Sequence, residues 1–189
     1  MSLNAQKTAS LLIQMGNILG DSNMDNLKLN KMLYFAQGHS LAETGDALFD
    51  DQIEAWDHGP VVSRVYHTYK DRGFEHITTP KVSASFSDAT PDELKILHET
   101  YKACLNCTGG DLESLSHAKG GPWRKYYGTA HNAVIPQCDI KSYFGSRDVL
   151  AEIPQVLQKG YENTDSDQFR YHSERMNAQY AETFTELAK

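Results

Sequence analysis

Three small groups of residues have types and spacings that could do chemistry. Glu54, Asp57 and His58 precede Gly59-Pro60, and a histidine oriented by one of those carboxylates would be a general base, the core of a hydrolase. The same residues have a plainer role, in which Asp57 or His58 accepts from the free N–H groups of a helix that starts at Pro60 while Trp56 packs. Gly38-His39-Ser40 sets a hydroxyl beside an imidazole, but it lacks the G-x-S-x-G elbow that exposes and activates a serine nucleophile. Cys104 and Cys107 form a C-x-x-C, with His117, His131 and Cys138 downstream. No second C-x-x-C or H-x-x-x-H completes a zinc set, and no βαβ context supports a redox pair, so buried free thiols are the simpler reading. Phosphate-binding, dinucleotide-binding and zinc-protease motifs are absent from the sequence. No catalytic set, cofactor or metal is therefore assigned.

The composition narrows the class of protein. With 189 residues, 40% of them hydrophobic and 23% charged, the chain suits one domain with a real core, or one domain and an appendage. A formal charge of −7 argues against wholesale binding to a nucleic-acid backbone, which requires clustered Lys and Arg. No run approaches the ~18 apolar residues of a membrane span and no secretory leader is evident, so a cytoplasmic location is expected. Three cysteines in such a chain do not suggest a disulfide framework.

Helical periodicity dominates the pattern of elements. Residues 4–19 predict a helix with Leu11, Leu12, Met15, Ile18 and Leu19 on one side and Gly20 as its stop. A second helix over 27–43 has two apolar sides, Leu29/Leu33/Met32/Ala36 and Leu27/Tyr34/Leu41, and must be central because neighbours have to cover both. Its remaining face carries Lys28, Lys31, Phe35 and His39, either a contact surface or solvated lysines laid over Phe35. Pro60 predicts the start of a third helix with Val61, Val62, Val65, Tyr66 and Tyr69 inward. The alternation of Val82, Ala84 and Phe86 predicts a half-buried strand that could pair with the extended stretch 50–56. Thr90-Pro91-Asp92-Glu93 opens another helix, ended at Gly109-Gly110. Asp111 caps a short one, and a further turn follows Pro122. Near the C-terminus Phe169, Met176, Tyr180, Thr183 and Leu187 make a narrow stripe on a charged helix, suited to packing on its own domain or into a partner's groove. The expected fold is mainly α, a compact multi-helix domain (1–145) around the buried 27–43 helix with a small β ribbon, and a helical extension over 146–189.

The central segment also resembles a known family. Lys28 to Gly38 reads K-L-x-K-x-L-Y-x-A-Q-G, Leu48-Phe49 follows, and Ile53 to Val62 reads I-E-A-W-x-x-G-P-V-V. In order and spacing this is similar to the signature of the Panacea domain, the SocA-like antitoxin or GepA-like phage-associated domain. A weaker similarity runs through Leu112–Trp123 and Asp139–Phe144. The resemblance implies a helical, non-enzymatic protein that binds and neutralises a protein toxin, encoded by a neighbouring gene, and in some members delivers it to a protease such as a AAA+ protease. The partner-binding residues expected on this reading are Lys31, Phe35, His39, Trp56 and His58. Two alternatives stand beside it: a hydrolase using Glu54, Asp57 and His58, and a small DNA-binding regulator using the Lys28/Lys31 face.

Overall fold

A computed structural model of the protein describes residues 3–154. Helix α1 (Ala5–Leu19) is capped by the Asn4 side chain, which accepts from the Lys7 N–H, and stops at Gly20 in the left-handed region. Helix α2 (Asn26–Glu43) starts at Asp25, whose carboxylate accepts from the Lys28 N–H. Strands β1 (Glu54–Trp56) and β2 (Gly59–Val61) form an antiparallel hairpin around Asp57-His58. Helix α3 (Ser63–Tyr69) runs into a 3-10 turn over Lys70–Arg72. Then come α4 (Pro91–Cys104), α5 (Gly109–Ser116), α6 (Pro122–Tyr126) and α7 (Gln137–Gly145). The described chain closes with helical residues 149–154. The stripe from Phe169 to Leu187 lies outside the described residues.

The fold is mainly helical, and α2 is its axis. Helices α1, α3, α4, α5 and α7 and strand β2 all pack against it, so it is buried on every side: Leu29, Met32, Leu33, Tyr34, Phe35, Ala36 and Leu41 are core, and so are Lys28, Asn30, Lys31 and Gln37. Tyr34, Phe35 and Phe144 of α7 meet edge to face. Gly38 makes that approach possible, because a Cβ there would lie 2.5 Å from the Phe144 ring.

The polar groups on α2 are satisfied mostly by loops. Gln37 accepts from the N–H groups of Leu48 and Phe49 at 3.0 and 3.2 Å and donates to the Phe49 carbonyl at 3.0 Å. Asn30 accepts from the Val62 N–H at 3.1 Å. Lys28 donates to the Asp21 carboxylate at 2.8 Å and to the Leu105 carbonyl at 3.2 Å, and the same carboxylate oxygen accepts from the Tyr101 hydroxyl at 2.7 Å. This triad ties the α1–α2 connection, α2 and the end of α4 together in the interior.

Five expectations need correction. The Lys28/Lys31/Phe35 face is interior and not a surface, because carbonyls and a carboxylate from elsewhere in the chain supply the lysines' partners; helical periodicity counts a lysine as polar and so places it outside. Pro60 does not open a helix. It lies in β2 opposite Ala55, and α3 starts three residues later. The segment around Val82 keeps its alternating burial but is not a strand: it lies along α1, where Ser10 donates to the Val82 carbonyl at 2.7 Å, Gln14 to Ala84 at 3.0 Å and Asn17 to Thr78 at 2.6 Å. Side chains of a helix have taken the place of a ladder. The loop over 130–137 instead supplies β1 with its other neighbour, through Ala55 N–H to Ala133 and Ile135 N–H to Ile53, both 2.8 Å. Gly109-Gly110 does not close α4, which ends at Cys104, but opens α5. Finally, Thr108 and not Asp111 caps α5; Asp111 closes the capping box from inside the first turn.

Removing one member of a buried ion pair leaves the other charge uncompensated, at a cost of about 3–5 kcal/mol, whereas replacing both by neutral groups is often near neutral. Asp21→Ala should therefore destabilise the protein by about 3–5 kcal/mol in urea unfolding, while Asp21→Asn combined with Lys28→Met recovers most of that loss. Equal stability of Asp21→Ala and wild type would contradict the triad's role.

Candidate functional site: a groove beside the hairpin

Hairpin β1–β2 is held from both faces. On one side the Trp56 ring meets Tyr66 of α3 edge to face at 4.9 Å between centroids, and its indole N–H donates to Glu54 at 2.7 Å. On the other, Trp123 of α6 donates to the Trp56 carbonyl at 2.8 Å. Trp123 is itself stacked between His117 at 3.6 Å and Tyr127 at 4.6 Å. Beneath the hairpin, the Lys31 ammonium donates to the Pro60 carbonyl at 3.0 Å. The backbone passes so close that a Cβ on Gly59 would lie 2.7 Å from Ser116 Oγ and 2.8 Å from Lys31 Cε, and Gly59 has φ of +94°. Only glycine takes that conformation without strain.

These elements border a groove of about 820 Å³. The N-terminal part of α2 (Asn26, Asn30, Lys31) lines it, with Trp56, Asp57 and His58 from the hairpin, Tyr66 from α3, Lys70 and Phe74 beyond it, Glu113 from α5, and the 127–132 loop. Phe74 is 89% exposed and Tyr127 45%, which is unusual for large hydrophobic side chains that share a concavity.

Of the five residues expected to meet a partner, Lys31, Trp56 and His58 line this one groove. Phe35 is in the core, and His39 lies elsewhere on α2, its Nε2 2.8 Å from Glu99 Oε2 of α4. Tyr66, Lys70, Phe74, Glu113 and Tyr127 were not legible as site residues. The one signal for Phe74 is an aromatic placed directly after the Gly73 stop in a charged, polar stretch.

The hydrolase arrangement does not form. Glu54 holds the Trp56 indole, Asp57 accepts from the Tyr127 hydroxyl at 3.1 Å, and His58 pairs with Glu113 at 3.1 Å. Neither neighbouring carboxylate orients His58, which is 79% exposed. The DNA-binding alternative loses its surface, since Lys28 and Lys31 are both fully buried. Among the described residues no group of three or more His, Cys, Asp or Glu side chains is placed to hold a metal ion. Cys104 and Cys107 are buried; burial pushes the Cys104 thiol well up and that of Cys107 to about 12, which leaves both protonated and unreactive at neutral pH.

The electrostatics of the groove centre on Lys31. Burial pulls its ammonium down to about 7, against the opposing pull of Glu113. Burial likewise lowers the His117 imidazole; Lys31, Arg124 and His58 add to that, and Glu113 opposes it. The His117 Nε2 is buried and has no hydrogen-bond partner among the described residues.

Comparison with known proteins fits this frame. The family described as "Antitoxin SocA-like, Panacea domain" matches residues 29–124, from the first turn of α2 to α6. The chain belongs to the SocA-like antitoxin family. "Antitoxin SocA" of Caulobacter vibrioides (strain NA1000 / CB15N) is 31% identical over 170 residues, covering 82% of this chain and 90% of that protein. No solved structure gives a significant match. No helix among the described residues is long and apolar enough to cross a membrane.

Two outcomes follow from the geometry around Lys31. Between its folded value of about 7 and its ordinary value of 10.5, the unfolded chain holds one proton more than the folded chain, so stability rises with pH across that window. Relative to Lys31→Met, the wild-type protein should gain about 1.4 kcal/mol per pH unit, measured by denaturant unfolding at about pH 7.5 and about pH 9. Parallel curves would mean that Lys31 is not desolvated. Gly59→Ala should cost about 2–4 kcal/mol, from its left-handed backbone and from crowding against Ser116 and Lys31; an unchanged urea midpoint would contradict the tight approach.

Proposed function

We propose that this protein acts in the cytoplasm as an antitoxin by binding a protein toxin, encoded beside it, and burying that toxin's active surface. The observation that carries the reading is the 31% identity to Antitoxin SocA over nine-tenths of that protein's length, with the family match across the segment that builds the hairpin and most of the groove. The groove beside the hairpin is our candidate for the contact. It supports the reading in two ways: it exposes aromatic side chains that a monomer normally covers, and it gathers them with polar groups in one concavity, the arrangement expected of an interface hot spot. Neutralisation of this kind is steric and requires no catalytic residue of the antitoxin.

The test is rescue. The neighbouring gene is expressed alone and together with this protein, growth is scored, and the pair is then purified through a tag on either partner. Toxicity relieved by co-expression, with a stable complex, is the expected result. Relief with no complex and a falling toxin level that a protease-deficient host restores would assign delivery to a protease instead. Toxicity that this protein fails to relieve would overturn the pairing.

A further inference from the structure

Two buried lysines on α2, less than one helical turn apart, keep very different company. Lys28 has a carboxylate at 2.8 Å and a carbonyl at 3.2 Å. Lys31 is equally buried, yet its ammonium has one acceptor, the Pro60 carbonyl, and it makes no ion pair among the described residues. A desolvated ammonium held by a single neutral acceptor is destabilising in the free protein. A methionine would fill the same space without the charge but would leave the Pro60 carbonyl without its donor. Its position on the groove gives it a use.

The surroundings indicate what would complete it. The titratable and charged groups around Lys31 and its groove are Glu113 of α5 and His117 just after it, Asp57 and His58 of the hairpin turn, Lys70 beyond α3, Tyr66 of α3, and Tyr127 and His131 of the 127–132 loop. Both acids are already engaged, Glu113 with His58 and Asp57 with the Tyr127 hydroxyl. Lys70, like Lys31, makes no ion pair among the described residues. In a chain of formal charge −7, the groove thus gathers two lysines that have no ion pair among the described residues. Its rim is apolar, with Phe74 and Tyr127 exposed and Trp56 half-buried. A volume of about 820 Å³ is that of a pocket for a small ligand, within the usual ~300–1,000 Å³. It would hold a few residues of a chain and not a folded surface.

We propose that this groove is the receptor for a short extended segment of the protein partner that carries an Asp or Glu beside apolar side chains, with the carboxylate attracted by the exposed Lys70 and by the buried Lys31 ammonium under the groove floor, and the apolar groups seated against Trp56, Phe74 and Tyr127. The proposal rests on the partner-binding reading above and adds the chemistry of the bound segment. A carboxylate in the groove favours the ammonium form of Lys31, so binding above neutral pH takes up a proton. With the free amine titrating near 7 and the bound one well above that, affinity falls as pH rises.

The test begins with a library of short displayed peptides selected on the full chain at neutral pH, followed by fluorescence-anisotropy titration of the recovered peptide. The expected peptides share an acid next to an aromatic or aliphatic residue and lose most of their affinity when the acid is replaced by its amide. Between about pH 7.5 and about pH 8.5, binding should weaken roughly eight-fold. Lys31→Met, with its fold checked by circular dichroism and urea unfolding because Lys31 also holds the Pro60 carbonyl, should abolish that pH dependence and the preference for acid over amide. Phe74→Ser, at an exposed position, should weaken binding about five-fold or more while leaving the pH dependence in place. Peptides without an acid, an acidic peptide indifferent to Lys31→Met, or a library that yields no peptide sensitive to Phe74→Ser would each overturn the proposal. The two readings fail separately. Acidic-peptide binding without toxin rescue would remove the antitoxin pairing and leave the groove, whereas rescue through a complex insensitive to both variants would remove the groove and leave the antitoxin.

Discussion

A helix buried on every side can carry polar side chains only if the rest of the chain brings partners to them, because an unpaired buried polar group costs about 1–3 kcal/mol and an unpaired charge more. Helix α2 meets that condition at Lys28, Asn30, Lys31 and Gln37, and most of the partners come from connections between elements. Gln37 fixes Leu48-Phe49, Asn30 fixes the entry to α3, Lys31 fixes β2, and Lys28 fixes both the turn at Asp21 and the end of α4. The loops therefore have defined paths although they contain little regular structure. In this fold the polar residues of the central helix do for the connections what hydrophobic contact does for the helices.

The groove follows from that arrangement. Because Lys31 and Asn30 hold the hairpin and its exit against α2, the turn at Asp57-His58 projects beside α5 and the 127–132 loop instead of folding over the helix. Trp123 secures the hairpin from its other face through the Trp56 carbonyl, and its stack with His117 and Tyr127 sets the opposite wall. A concavity bounded by a clamped hairpin and a stacked wall is built largely in advance of any ligand, which lowers the ordering entropy that binding has to offset.

How much of this could be read from the sequence depended on whether the signal was local. Gly20 marks the end of α1 and Thr90-Pro91-Asp92-Glu93 the start of α4 because capping is a matter of residues three or four apart. The centrality of α2 was legible from its two apolar sides. The burial of its third face was not, because a lysine's fate depends on a carboxylate or carbonyl that arrives from as far as Leu105. Pro60 carries the same ambiguity: proline suits both the first turn of a helix and a short strand, and the pairing of Ala55 with residues on both sides decided the matter. Trp56 and His58 are legible as site residues through the resemblance carried by Ile53 to Val62. Phe74 and Tyr127 join them only through the tertiary path of two loops, which has no local signature.

The extent of the family match bears on what membership implies for function. Residues 29–124 include nearly all of α2, the hairpin, α3, α5 and Trp123, which together clamp the hairpin and form the floor of the groove. The Tyr127–Asn132 wall lies just past the matched segment. The conformation of that wall is set by its stack on Trp123 and by the bonds of Ala133 and Ile135 to β1, both anchored within the match. Family membership thus speaks for the frame on which the proposed site is built. The identity of what binds is a matter for the side chains along the rim, as is usual where one fold carries different sites.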